Sequence, residues 1–175
     1  MMLSDTHLSQ KLLELIKIKT LMIKINVISK QDNWKRFLKS PNLYMRDKIR
    51  KLNKKSESFK KKKIYCTLLL SDTKEIKKLN KKFRQKNKST DVLSFPFYNK
   101  KDLAKVLKKE KEIYLGDIII NINKIKYKKD KNKFKHKFNK LWIHGLLHLF
   151  GYDHKKNKDF YEMNKIERRF ISYLH

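Results

Sequence analysis

Four short runs rich in β-branched and aliphatic residues punctuate this chain, and stretches with helical periodicity fill the spaces between them. In the first, residues 21 to 29 (LMIKINVIS), Leu21, Ile23, Ile25 and Val27 alternate onto one side. The second, KIYCTLLLS at 63 to 71, is apolar enough to read as a buried strand. The third spans Val92 to Phe95 and is stopped by Pro96, which cannot donate to a sheet ladder. The fourth is EIYLGDIIINI, 112 to 122. Strands interleaved with helices predict an α+β (mixed α/β) fold, with about four strands in a mixed sheet and about five to six helices packed on it.

Between the first two strands the helical material divides at Pro41, with Trp34, Phe37 and Leu38 in one piece and Ile49 and Leu52 in the other. Asp72 and Glu75 make a capping-box pattern, after which Ile76, Leu79 and Phe83 recur at helical spacing. Residues 99 to 111 are polar and lysine-rich and read as a surface excursion. Residues 123 to 138 are so basic that only Phe134 and Phe138, then Leu141 and Trp142, mark a helix there. A last helix carries Phe160, Met163, Ile166, Phe170, Ile171 and Leu174 on one stripe. Residues 1 to 20 read as an N-terminal extension, either an extra helix or a frayed tail. No repeat or Pro/Gly/Ser linker divides the 175 residues, a length suited to one domain.

Charge narrows the partners. The chain has 47 Lys+Arg against 17 Asp+Glu, 47 − 17 = +30, and such a surface attracts polyanions, nucleic acid first among them. Because the excess is nearly all lysine, accompanied by many Asn and Ile, AT-rich codon usage would produce part of it. The charge therefore supports an RNA or DNA partner without establishing one. The single cysteine, Cys66, excludes an internal disulfide and reads as a small core residue within IYCTLLL. Lys11, Glu14, Lys17 and Lys19 break up the N-terminal apolar residues, and no run approaches the ~18 that a membrane span needs. A cytoplasmic protein without a membrane partner is expected.

The chemistry concentrates in HGLLHLFGYDH, 144 to 154, which holds three of the six histidines. Four residues along a helix turn ~40° past a full circle and rise ~6 Å, so His144 and His148 project side by side and can chelate one ion. Gly151 sits where the helix would end, since glycine takes the left-handed conformation without strain. The turn there would bring His154 to the same ion. Three imidazoles with a fourth position open describe a catalytic zinc site, whereas structural zinc is usually closed by four ligands. The spacing also fits the metzincin proteases, H-E-x-x-H-x-x-G-x-x-H, except at the second position. There the peptidase needs a glutamate as general base, and this chain has Gly145, which can move no proton.

This segment resembles the H-G-x-L-H-L-x-G-Y-D-H signature of the YbeY family of bacterial rRNA maturation factors, which are metal-dependent endoribonucleases. LNKKFRQKNKSTDVLSFP, 79 to 96, is similar to that family's N-x-x-[YF]-R-x-x-x-x-x-T-D-V-L-S-F-P block, and LGDIIIN, 115 to 121, to its G-D-I-x-I element. The resemblance implies one zinc ion held by His144, His148 and His154, and a functional arginine at Arg84. It further implies a single-strand endoribonuclease acting on rRNA of the small ribosomal subunit at its 3′ end, with a role in ribosome quality control and a ribosomal protein or GTPase as a further partner. A guanidinium at Arg84 suits that chemistry, because it can hold two oxygens of a phosphodiester as negative charge develops. The rival readings are a ribosome-associated RNA-binding factor whose metal only organises the fold, and a zinc hydrolase of another substrate.

The other motif residues carry weaker expectations. Thr90 and Asp91 cap or turn the chain before the third strand, Asp117 is a turn residue or a partner that orients a histidine, and Asp153 is open between the same two roles. Tyr152 reads as structural. Gly116, Gly145 and Gly151 are all the glycines of the chain and each should meet a backbone requirement. His7, His136 and His175 read as exposed. The run Lys60 to Lys63 reads as a solvated lead-in to a strand, and it and the basic stretch 123 to 140 are candidates to flank the cleft and carry the RNA backbone.

Overall fold

A computed structural model describes residues 21–29, 32–55, 62–153 and 157–175. The expected extension at 1–20, with His7, and also His154, Lys60 and Lys61 lie outside the described residues. Strands β1 (Leu21–Ser29), β2 (Lys62–Ser71), β3 (Val92–Pro96) and β4 (Glu112–Asn121) form one sheet in the order β1-β2-β4-β3. β1, β2 and β4 run parallel, and β3 pairs antiparallel with β4 at the edge. Helices α1 (Lys35–Leu38), α2 (Pro41–Lys54), α3 (Thr73–Arg84), α4 (Lys100–Lys109), α5 (Lys131–Leu149) and α6 (Asn157–Ser172) complete the predicted α+β architecture.

Alternation along the central strand explains the layering. Ile64, Cys66, Leu68 and Leu70 of β2 are fully buried on one face, while Tyr65, Thr67 and Leu69 are half-buried on the other. The first face is covered by α2 and by α5, which buries Phe134 and Phe138 under an exposed lysine side in its first half and is buried nearly all round from Leu141 on. Trp34 anchors this core: its ring meets Phe138 edge-on at 5.6 Å and its Nε1 donates to the Ser71 carbonyl at 3.3 Å. Among the described residues the second face is covered at one end only, by α3, where Ile76 packs with Leu93 and Ile119. Asp72 caps α3 by accepting from the Glu75 amide at 2.8 Å, as the capping pattern predicts, although the Glu75 carboxylate takes the Ser71 hydroxyl.

Residues 99 to 111 are not a surface excursion. They form α4, because Leu103 and Leu107 stand four apart and are fully buried while the lysines around them stay in water. Asn99 caps this helix by accepting from the Asp102 amide. β3 also runs one residue past its predicted stop, through Pro96. Phe97 N–H donates to the Leu115 carbonyl, so the neighbouring Pro96 faces outward from the edge, where an absent N–H costs no ladder bond. At the opposite edge the Asn53 side chain accepts from Ile23 N–H at 2.9 Å and donates to Ile23 C=O at 2.8 Å, occupying both outward groups of that residue. Cys66 is buried as expected, and burial pushes its thiol up to about 12. No helix among the described residues is long and apolar enough to cross a membrane.

Candidate metal centre

α5 begins at Asp130, which caps the Asn132 and Lys133 amides, and its 19 residues carry His144 and His148 on adjacent turns. Their Nε2 atoms stand 3.1 Å apart. Each ring is held from behind: His144 Nδ1 lies 3.0 Å from a Glu167 carboxylate oxygen of α6, and His148 Nδ1 lies 2.9 Å from the Tyr152 carbonyl. Both acceptors favour a proton on Nδ1, which leaves the two Nε2 lone pairs facing one point. Two such acceptors repel unless a cation or proton lies between them. Two nitrogens bound tetrahedrally to zinc at ~2.1 Å would be about 3.4 Å apart, close to the spacing here. The pair therefore fits a metal ion chemically, and Glu167 fits the role of the carboxylate that fixes a ligand imidazole.

The helix end creates the second support. Gly151 is left-handed at φ 83°, its N–H donates to the His148 carbonyl, and Tyr152 N–H donates to the Leu147 carbonyl. That is a Schellman closure, and it turns the Tyr152 carbonyl back onto His148. Tyr152 is structural in a second sense, since burial holds its phenol well above the ordinary value and keeps it neutral. Gly145 answers to packing. A methyl there would stand 2.7 Å from Ile118 Cγ2 and 3.1 Å from Ser94 Oγ, so only glycine lets α5 approach β4 and β3 this closely. Gly116 is forced more severely: at φ 127°, an added Cβ would lie 2.1 Å from the Phe95 carbonyl oxygen.

The structure brings His144 and His148 together. The third expected ligand, His154, lies outside the described residues, among which no group of three metal-ligating side chains assembles. Arg84 is the exposed last residue of α3, ahead of left-handed Gln85 at φ 57°, and has no ion-pair partner among the described residues. Asn80 anchors the loop after it by donating to the Lys88 carbonyl at 2.7 Å. Thr90 and Asp91 turn the chain: Asp91 Oδ1 accepts from the Val92 amide and the Thr90 hydroxyl. Asp117 accepts from the Tyr114 hydroxyl at 2.6 Å on the sheet face opposite Ile118, away from the histidines. Glu167 escaped the sequence reading. Its signal was present, because it follows the buried Met163 by four and precedes the buried Phe170 by three, where a carboxylate needs a partner.

The sequence model of the family described as Endoribonuclease YbeY matches residues 28–175. The chain is 46% identical over 148 residues to Endoribonuclease YbeY of Pelagibacter ubique (strain HTCC1062), covering 83% of this chain and 92% of that protein. It is 34% identical over 155 residues to Endoribonuclease YbeY of Ehrlichia canis (strain Jake), covering 87% and 93%. The solution structure of a Thermotoga maritima protein shares the fold at a TM-score of 0.54 and 23% identity, covering 86% of this chain and 89% of that one.

Proposed function

The chain belongs to the Endoribonuclease YbeY family, and from that premise we propose that it cleaves single-stranded RNA with one zinc ion held by His144, His148 and His154. The observation that carries the metal reading is the convergence of two Nε2 atoms at 3.1 Å with both Nδ1 atoms engaged by acceptors. A zinc ion there would supply Lewis-acid activation of a phosphodiester and of the water that attacks it. The chain's own residues do the rest. Glu167 and the Tyr152 carbonyl hold the imidazoles in one tautomer, and the exposed Arg84 guanidinium is suited to grip two phosphate oxygens as charge grows on them. Gly145 brings no base, which favours this reading over a peptidase.

Within that reading the substrate is rRNA, at the 3′ end of the small-subunit RNA, in the cytoplasm, with ribosome quality control and a ribosomal-protein or GTPase partner following from the same likeness. The net charge of +30 supports a polyanionic substrate over a small neutral one.

The test is elemental analysis of the purified protein beside cleavage of a single-stranded RNA, for the wild type, His148→Ala and Arg84→Ala. The expected result is about one zinc per chain, lost together with cleavage in His148→Ala. Arg84→Ala should keep zinc and RNA affinity and lose turnover by about 10²–10³-fold. Stoichiometric metal without cleavage would move the assignment to a non-catalytic RNA-binding factor, and a wild type free of metal would sink the site.

A further inference from the structure

Among the described residues only α3 covers the face of the sheet opposite α5, and the large side chains that this face displays are aromatic. Along β3 and one residue past its end, Leu93, Phe95 and Phe97 point to this face, and of these Leu93 is the fully buried one, packed with Ile76 of α3. Phe97 is 66% exposed and meets the Tyr114 ring edge-on at 6.0 Å. Phe83, at the end of α3 beside Arg84, is 58% exposed and packs edge-on against Phe95 at 5.4 Å. Tyr65 lies opposite Tyr114 in the β2–β4 ladder. Two large aromatics more than half exposed on one face are costly for a solvated surface and call for an occupant.

The charges around the rings identify its chemistry. Lys82 Nζ lies 5.2 Å from the Phe83 ring and Lys24 Nζ 5.8 Å from the Tyr65 ring. The two carboxylates that the strands place on this face are engaged: Glu112 with Lys63 and Tyr65, Asp117 with the Tyr114 hydroxyl. Exposed rings flanked by ammonium groups are what an unpaired nucleotide chain needs, since bases stack on the rings while lysines follow the phosphates. A duplex keeps its bases stacked on one another and offers no ring face. β3 is the edge strand, and Ser94 on its other face approaches Gly145, next to His144. A strand rounding that edge passes from the aromatic face to the histidine side.

We propose that the open sheet face carrying Phe83, Phe97, Tyr114 and Tyr65 is a stacking platform for single-stranded RNA. This rests on the reading above that RNA is the substrate. The test uses the full chain with Phe97→Trp as a reporter, since Trp34 and Trp142 are both fully buried. A single-stranded oligouridylate should quench the new tryptophan, and a duplex RNA of equal length should not. In parallel, the Phe83→Ala, Phe97→Ala double variant should bind the oligouridylate about tenfold or more weakly. Its duplex affinity and zinc content should match the wild type. Absent quenching by the oligouridylate, or equal weakening toward both RNAs, would overturn the platform. A concentration-dependent dimer abolished by the double variant would assign the face to a second copy and overturn it too. Quenching and cleavage are read separately, so a protein that cleaves without quenching leaves the nuclease standing and removes only the platform.

Discussion

Glu167 gives the proposed zinc site a dependence on a residue outside its three histidines. Its carboxylate fixes the His144 tautomer, so Glu167→Ala should lower zinc affinity about 10–100-fold, measured by competition with a chromophoric chelator. Glu167→Gln keeps an acceptor oxygen and should lose less. Cys66 is the residue to follow with pH. Its thiol ionises near the ordinary 9.0 when unfolded and about 12 when folded. Below the lower value both states are neutral and its burial contributes in full. Between the two, only the unfolded chain gives up its proton, so stability falls as pH rises. The loss approaches about 4 kcal/mol at its full extent. Urea denaturation of the wild type and Cys66→Val across pH 8 to 11 should show that component only in the wild type. At this scale legibility tracked locality. His144 and His148 were readable because one helix carries both, whereas Glu167 arrives from a helix 23 residues further on, and no short-range pattern connects the two.

Between elements, the closest approach belongs to α5 and the β4–β3 pair. Gly145→Ala inserts a methyl 2.7 Å from Ile118, and the helix must back away from the sheet, taking His144 with it. The variant should lose about 1–3 kcal/mol in chemical denaturation and also bind zinc more weakly than an equally destabilised core variant. All four strands were legible, since alternation and β-branched runs are direct imprints of a pleated surface. α4 was not, because Leu103 and Leu107 are outnumbered by lysines, and a two-residue stripe leaves the average polar. Gly151 marked the end of α5 correctly, yet the sequence did not disclose that the closure it makes also aims the Tyr152 carbonyl at His148.

For the molecule as a whole, the charge of +30 sets how binding must respond to salt. If lysines meet several phosphates, affinity for single-stranded RNA should fall at least tenfold between about 50 and 200 mM salt, on a log–log slope of ~0.7 per phosphate. A shallow slope in a titration series would mark most of the lysines as bystanders. The sign of the charge was plain in the composition. Its placement beside exposed rings was not, because that depends on which sheet face the helices leave open.

The guarded edges described above bear on how this protein behaves in a crowd. Asn53 plugs the outward groups of Ile23 on one side, and Pro96 withholds a donor on the other. At those two positions the sheet of a chain with net charge +30 is hindered from pairing with the sheet of another copy. Crowded copies that already repel one another by charge also meet edges with no donor at Pro96 and no free outward group at Ile23.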